Sequence, residues 1–330
     1  MFRQWYAVAG GARLRTRPLA IQLLGLPLVL ARDAHGRPFA LEDRCPHRHA
    51  PLSSGCVEHG QLRCPYHGWR FDHDGRLTEV PGLPADLQAP AIRASAFPVI
   101  EHDGLLWLRP SQEGEPAPSA LVMDARPEHR RFLWQTRWQA HVLEAMENFL
   151  DPLHTHYLHP GLVRRGGARA PMQARLRCDP SGFVVDYQGQ PQQSGLLYRL
   201  FESPRSQERA CFALPGSARI EYGYVSGAAV HITLHFSPRD DTHTEVFASL
   251  HVQGRWAPRW AVRWLLWPFL HRVGEQDKRM LALQSWNKQR FDARGSASTP
   301  LDLVRAPLER WWLHGEVPHA AQSRTQALLL

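Results

Sequence analysis

The chain has 330 residues, of which 43% are apolar and 21% charged, enough apolar material for packed cores and too ordinary a charge content for a disordered chain. Its formal net charge is +8, yet lysine occurs only at 278 and 288, so the excess is scattered arginine without a compact basic block. With no nucleic-acid-binding motif beside it, this charge excludes a nucleic-acid partner from the expectation and leaves a solvated surface or an acidic protein partner.

Met1 to Gly11 lacks the charge-then-apolar layout of a signal peptide, and the apolar run Leu19–Ala31 is too short for a bilayer and holds Gln22 and Pro27. A soluble, cytoplasmic protein is expected. The length suggests two domains. Five cysteines, at 45, 56, 64, 178 and 211, do not read as a disulfide framework in a chain this long.

In chain order, the first third reads as β. Apolar runs at Trp5–Val8, Leu28–Leu30, Phe39–Leu41, Trp69–Phe71 and Leu105–Leu108 alternate with turn signals, notably Asp33-Ala34-His35-Gly36 and Asp72-His73-Asp74-Gly75. Ser111 to Pro118 is polar and rich in Pro and Gly, and reads as a linker. We therefore expect domains over residues 1–112 and 113–330. The second opens with a strand-like run, Phe132 to Trp138, and a helical pattern from about Ala140 to Leu150. Strand candidates follow at Gly182–Tyr187, Ala218–Tyr224, Val230–Phe236 and Glu245–Val252. The stretch from about Pro258 to Arg290 reads as helix broken or kinked at Pro268, and Leu301 to Leu313 as another helix. The class is α+β: an all-β first domain, then a sheet with helices packed on it. No Gly-rich dinucleotide fingerprint is present, so the chain itself is not expected to bind NADH or flavin.

Two ligand-rich segments carry the chemistry. The first is Cys45-Pro46-His47 followed, after sixteen residues, by Cys64-Pro65-Tyr66-His67. Two thiolates suit one ferric ion and two neutral imidazoles the other, the donor set of a Rieske [2Fe–2S] cluster, whose potential lies above that of an all-cysteine cluster. A Cys2His2 zinc site uses the same donors. The C-x-H pair is too tight for ordinary zinc-finger spacing, and Gly68-Trp69 in a β-rich setting fits cluster-binding loops. Cys56, His49, His59 and His73 read as packing or surface residues.

The second segment runs from Glu147 to Gly161 and holds His154, His156 and His159. Two histidines and a carboxylate bind non-haem Fe(II) and leave positions open for O2 and substrate. His154 and His159 are the first choice of pair. Five residues on an ideal helix turn roughly 140° past a full turn, so the helix must end or loosen between them, and Pro160-Gly161 supplies a stop signal. His154 with His156 is the alternative, since alternate residues share a face of a strand.

Both motifs resemble those of the Rieske non-haem iron oxygenases, oxygenase component. Respiratory Rieske proteins carry an extra cysteine in each ligand loop; Ala50 and Tyr66 stand at those places here. The stretch Asn148-x-x-Asp151-x-x-His154-x4-His159 resembles the family's iron motif. The resemblance implies that Asp151 is not a ligand but bridges His154 to a Rieske histidine by hydrogen bonds, and that Asn148 sits near the iron. It implies Asp277 as the third ligand, with Glu275 and Asp292 as runners-up. It further implies a helix-grip (START-like) catalytic domain and a head-to-tail homotrimer. Electrons would come from a separate NAD(P)H-dependent reductase or ferredoxin, and O2 would act on an apolar or aromatic substrate. The length resembles the vanillate demethylase-like group, hence mono-oxygenation by hydroxylation or oxidative demethylation. Ring cis-dihydroxylation is the enzymatic alternative, and a Rieske electron carrier with a non-catalytic binding domain the alternative of another class.

Trp256, Trp260, Trp264 and Trp267 recur at helical spacing among Arg255, Arg259, Arg263 and Arg272. The preferred reading is a helix packing this stripe onto the sheet, with membrane association not expected; a membrane-surface helix is the other reading.

Overall fold

Turn chemistry lays out the first compact unit of this computed structural model. Asp33 and Asp72 each accept backbone N–H bonds from the residues two and four positions on (His35 and Arg37; Asp74 and Arg76), all at 2.8–3.0 Å. Gly36 and Gly75 sit at φ +77° and +75°, a conformation that costs other residues energy. The structure describes residues 1–114, 117–118, 121, 129–163, 169–189, 204–253, 260, 262–293 and 295–330.

The chain divides into one unit of Met1–Pro118 with Ser237–Asp241 and another of Ser119–Phe236 with Thr242–Leu330. The first contains β1 (Tyr6–Gly10), β2 (Leu19–Leu23), β3 (Leu26–Arg32), β4 (Pro38–Glu42), β5 (Cys56–Glu58), β6 (Gln61–Arg63), β7 (Arg70–Phe71), β8 (Leu77–Glu79), β9 (Ala96–Phe97), β10 (Val99–His102) and β11 (Leu105–Leu108). They form three antiparallel sheets, β1-β11-β10, β2-β3-β4-β9 and β5-β6-β7-β8. Val29, Leu41, Leu52, Leu62 and Phe71 make a core against which Cys45 and Cys64 are buried. The short strands β5, β6, β8 and β9 escape sequence reading because they are too short to show alternation, whereas β7 falls in the run read at Trp69–Phe71.

The second unit is built on β12 (His129–Trp138), β13 (Pro171–Asp179), β14 (Gly182–Gln188), β15 (Arg205–Ala213), β16 (Ser217–Tyr224), β17 (Ala229–Pro238), β18 (Thr244–Gln253) and β19 (Arg324–Leu329). These form one eight-stranded sheet, ordered β12-β18-β17-β16-β15-β14-β13-β19. Along β13, Met172, Ala174, Leu176 and Cys178 are buried and their neighbours exposed, the period-2 alternation of a half-buried strand. The strand β19, absent from the sequence reading, pairs with β13 from Pro171↔Leu329 to Leu176↔Arg324.

Among the described residues four α-helices accompany the sheet: α1 (Val142–Leu150), the single turn α2 (Thr155–Leu158), α3 (Trp267–Arg290) and α4 (Arg305–His314). Two expectations need correction. Pro268 starts α3 rather than kinking it, because an N-terminal turn has no use for the N–H that proline lacks. Helix α4 begins at Arg305 rather than Leu301, since Pro307 is tolerated only in a first turn. Buried charges tie three helices together. Arg305 of α4 reaches Glu147 and Glu309 at 2.6 Å each, and Lys288 of α3 bonds Glu144 of α1.

Candidate functional site

The two cysteine–histidine loops share one backbone frame. The N–H of Cys45 donates to Ala50 O and that of Cys64 to Trp69 O, both at 2.8 Å, five residues on. Each cysteine carbonyl then accepts from the residue four on, His49 at 2.8 Å and Gly68 at 3.2 Å. Those two residues take left-handed backbone, φ +60° and +73°. Cys45 and Cys64 are buried, and the rings of His47 and His67 stand 4.7 Å apart. The Trp69 indole stacks flat on His47, at 4.3 Å and 1° between planes. Burial, with Cys64 beside it, pushes the Cys45 thiol up to about 11. Desolvation and then His67 hold His47 below the ordinary imidazole value, favouring the neutral ring that ligates. Two buried sulfurs beside two imidazole rings are the donor set a Rieske cluster takes.

The second cluster is assembled by α1, α2 and α3. Helix α1 ends at Asp151, whose carboxylate accepts the backbone N–H bonds of Leu153 (2.9 Å) and His154 (3.2 Å) and closes a tight turn. His154 opens α2 in helical backbone and His159 leaves it at φ −118°, ψ 49°, so the single turn fills the interval and ends at the second histidine. The two rings lie 5.3 Å apart. Asp277, the eleventh of the 24 residues of α3, presents Oδ1 at 3.6 Å from His154 Nε2 and 3.2 Å from His159 Nε2. One ligand atom from each of these three residues falls within 4.8 Å of the others. His156 lies inside α2 and outside this group. Glu275 is engaged by Lys278 at 2.8 Å, and Asp292 follows the end of α3.

Contacts around the group fix its rings. His159 Nδ1 lies 2.9 Å from Gln276 Oε1, which leaves Nε2 facing Asp277. Asn148 Nδ2 donates to Asp277 Oδ1 at 3.4 Å, and Asp151 Oδ2 stands 3.7 Å from His154 Nδ1. Sequence reasoning missed Gln276, because a neutral amide on a polar helix gives no signal. Desolvation opposes the imidazolium of His159, yet the Asp277 carboxylate and Gln276 raise its pKa above the usual value. The position therefore favours a positive charge. His159 Nε2, which faces the Asp277 carboxylate, is buried without a well-formed hydrogen bond, which fits a donor awaiting a cation.

The group lies in the wall of a cavity of about 400 Å³. The remaining wall is mostly aromatic and aliphatic, including Trp134, Phe149, Ile220, Leu234, Ala248 and Leu270. Two charged wall residues are paired, Glu208 with Arg205 (2.6 Å) and Lys278 with Glu275.

The tryptophan stripe behaves differently from the preferred sequence reading. Trp267 turns inward, edge-on to Trp134 at 4.5 Å. Trp260 and Trp264 are 62% and 69% exposed, while Val262, Leu266 and Leu270 pack on Leu250 and Val252. A π-helical turn over Val262–Leu266 shifts the phase between Trp264 and Trp267. Trp256, Arg255 and Arg259 lie outside the described residues. Among the described residues no helix is long and apolar enough to cross a membrane.

Comparison with known proteins matches two family models in series. Residues 4–97 match the Rieske [2Fe-2S] domain and residues 138–311 the vanillate O-demethylase oxygenase C-terminal domain. The chain is 38% identical over 162 residues to 4beta-methylsterol monooxygenase of Methylococcus capsulatus, an alignment covering 47% of this chain and 44% of that one. It is 29% identical over 233 residues to methylxanthine N1-demethylase NdmA of Pseudomonas putida, covering 69% and 64%. The matched segments thus span less than two thirds of these relatives. The structure of NdmA with caffeine superposes with a TM-score of 0.77 at 25% identity, covering 94% of this chain and 89% of that one. Dicamba monooxygenase bound to dicamba gives 0.72 at 21% identity, covering 94% and 96%. That family couples a Rieske cluster to a mononuclear iron, and since the C-terminal model alone spans more than half of the sequence, the chain belongs to the vanillate O-demethylase-type Rieske oxygenases.

Proposed function

We propose that the protein is the terminal oxygenase component of a Rieske non-haem iron monooxygenase. It hydroxylates or oxidatively demethylates a neutral apolar or aromatic molecule, using O2 and electrons from a separate reductase or ferredoxin. The observation that carries this reading is the meeting of His154, His159 and Asp277 in the wall of a large apolar cavity. A plain electron carrier has no use for such a cavity. Relatives named as a sterol monooxygenase and a methylxanthine demethylase support mono-oxygenation over ring dihydroxylation.

In this reading Cys45, His47, Cys64 and His67 hold the [2Fe–2S] cluster, and His154, His159 and Asp277 hold Fe(II). The mononuclear iron, when bound, supplies O2 activation. The residues of the chain supply the rest. Gln276 keeps the Nδ1 proton of His159 in place, so that Nε2 faces the metal. Asp151 faces His154 Nδ1 at 3.7 Å as the carboxylate on the path from the cluster, and Asn148 steadies Asp277. Trp134, Phe149 and Leu270 keep water from the reacting atoms. Among the described wall residues Glu208 is paired with Arg205 and Lys278 with Glu275, which supports a neutral substrate.

The same reading places the functional boundary between residues 112 and 113, assembles three copies head to tail, and puts the protein in the cytoplasm, where its thiols stay reduced. Electron paramagnetic resonance on anaerobically reduced protein, with and without nitric oxide, tests it. A Rieske signal together with an iron–nitrosyl signal that disappears in His154→Ala is expected. A Rieske signal alone, in protein reconstituted with ferrous iron, would leave only a carrier.

A further inference from the structure

The exposed tryptophans of the segment before α3 form a surface that the proposed reaction does not use. Trp260 and Trp264 are 62% and 69% exposed, although large apolar side chains are normally withdrawn from water. Arg263 lies between them, its guanidinium 5.7 Å from the centre of the Trp264 ring, and Arg272 is exposed five residues beyond Trp267. Val262, Leu266 and Leu270 of the same segment are directed to the sheet, so the tryptophans occupy the opposite, outward side. The sequence has no Asp or Glu between Glu245 and Glu275 and four arginines in that interval, at 255, 259, 263 and 272. This is a local excess of positive charge with indole rings at its centre.

We propose that this face docks the protein on an anionic lipid bilayer surface. Indoles partition to the level of the headgroups, where the ring is apolar and its N–H still meets water. Arginines beside them meet lipid phosphates, each contributing on the order of fivefold in partitioning to an anionic surface. No chain segment inserts across the bilayer; the segment lies in the interface plane as a monotopic contact. The same segment continues into Trp267 and Leu270, which line the cavity, so docking brings the cavity wall to the lipid boundary. A sparingly soluble molecule then has a short path from membrane to pocket. The docking itself requires no turnover and stands apart from the catalytic assignment.

Cosedimentation of the cluster-loaded full-length protein with vesicles of phosphatidylglycerol and phosphatidylcholine tests the proposal. Binding is expected to the mixed vesicles, at least tenfold weaker to pure phosphatidylcholine or in 0.5 M salt. Trp260→Ala/Trp264→Ala should weaken it at least tenfold, and Arg263→Glu by about fivefold or more, with the Rieske absorbance of every variant unchanged. Absence of binding, or equal binding by wild type and the double variant, overturns the proposal. So does a change of oligomeric state in the double variant with no vesicle binding by the wild type, which would assign the face to a second copy of the chain.

Discussion

Gln276 and His159 meet at 2.9 Å, one residue before the carboxylate that faces the other side of the same imidazole ring. Adjacent positions on α3 therefore serve the two nitrogens of a single histidine, Gln276 the Nδ1 and Asp277 the Nε2. Removing the amide leaves a buried N–H without an acceptor and frees the ring to turn. Gln276→Leu should lower ferrous-iron affinity about 10- to 100-fold, read by iron titration of the nitrosyl signal, while the Rieske spectrum stays as in the wild type. Gln276→Glu keeps an acceptor at that place and should bind iron close to the wild-type level. Equal loss in both variants would deny Gln276 this orienting role.

Asp151 closes the turn after α1 with backbone bonds to Leu153 and His154 and also faces His154 Nδ1. Asp151→Asn can keep the turn but not the anionic acceptor. Reduction of the cluster by dithionite should be unchanged, whereas substrate-dependent oxidation of that cluster should slow about 10- to 100-fold, as loss of a partner to a ligating histidine predicts. Single-turnover kinetics on reduced protein measures it, and an unchanged rate removes Asp151 from the electron path.

Ala248 is fully buried on β18 and contributes to the cavity wall. Ala248→Phe places a ring in that space. Iron content and cluster should survive, with overpacking costing about 1–3 kcal/mol of stability, and binding of large hydrophobic ligands should be lost while small ones still enter. Fluorescent-probe displacement distinguishes the two sizes. Retention of large ligands would place substrate elsewhere.

Glu144 is nearly fully buried in α1. Burial opposes its ionisation, but hydrogen bonds from His141 and Lys288 outweigh this and hold the carboxyl at about 2, against an ordinary 4.5. A depressed pKa means that the folded state binds the proton more weakly than the unfolded chain. The contribution, on the order of 3 kcal/mol, is present above about pH 5 and disappears as the pH falls toward 2. The stability gap between wild type and Glu144→Gln should therefore narrow over that interval in acid titrations of the urea midpoint. Arg305→Met, which strands Glu147 beneath the same network, should cost roughly 3 kcal/mol at neutral pH.

Much of this was legible in the sequence. The β character of the first third followed from turn residues and alternation. Helical geometry required the helix to end or loosen between His154 and His159; the turn in fact persists through Leu158 and is left only at His159 itself. Asp277 was reachable only through family resemblance, because one carboxylate among several on a polar helix carries no local mark. Gln276 was not reachable at all. The tryptophan stripe was read to the wrong face for Trp260 and Trp264. That segment is apolar on every side, so periodicity does not choose a buried face, and the π-helical turn at Val262–Leu266 moves the phase where a regular helix was assumed.

The shared frame of the two cluster loops has an asymmetric result. Counting from its cysteine, one loop carries histidine at the second position and the other at the third, and the two rings meet different surroundings. His47 is roofed by Trp69, whereas His67 is exposed next to the exposed Tyr66. The two rings of one donor set are thus covered unequally, His47 by a flat indole and His67 by a tilted, exposed phenol.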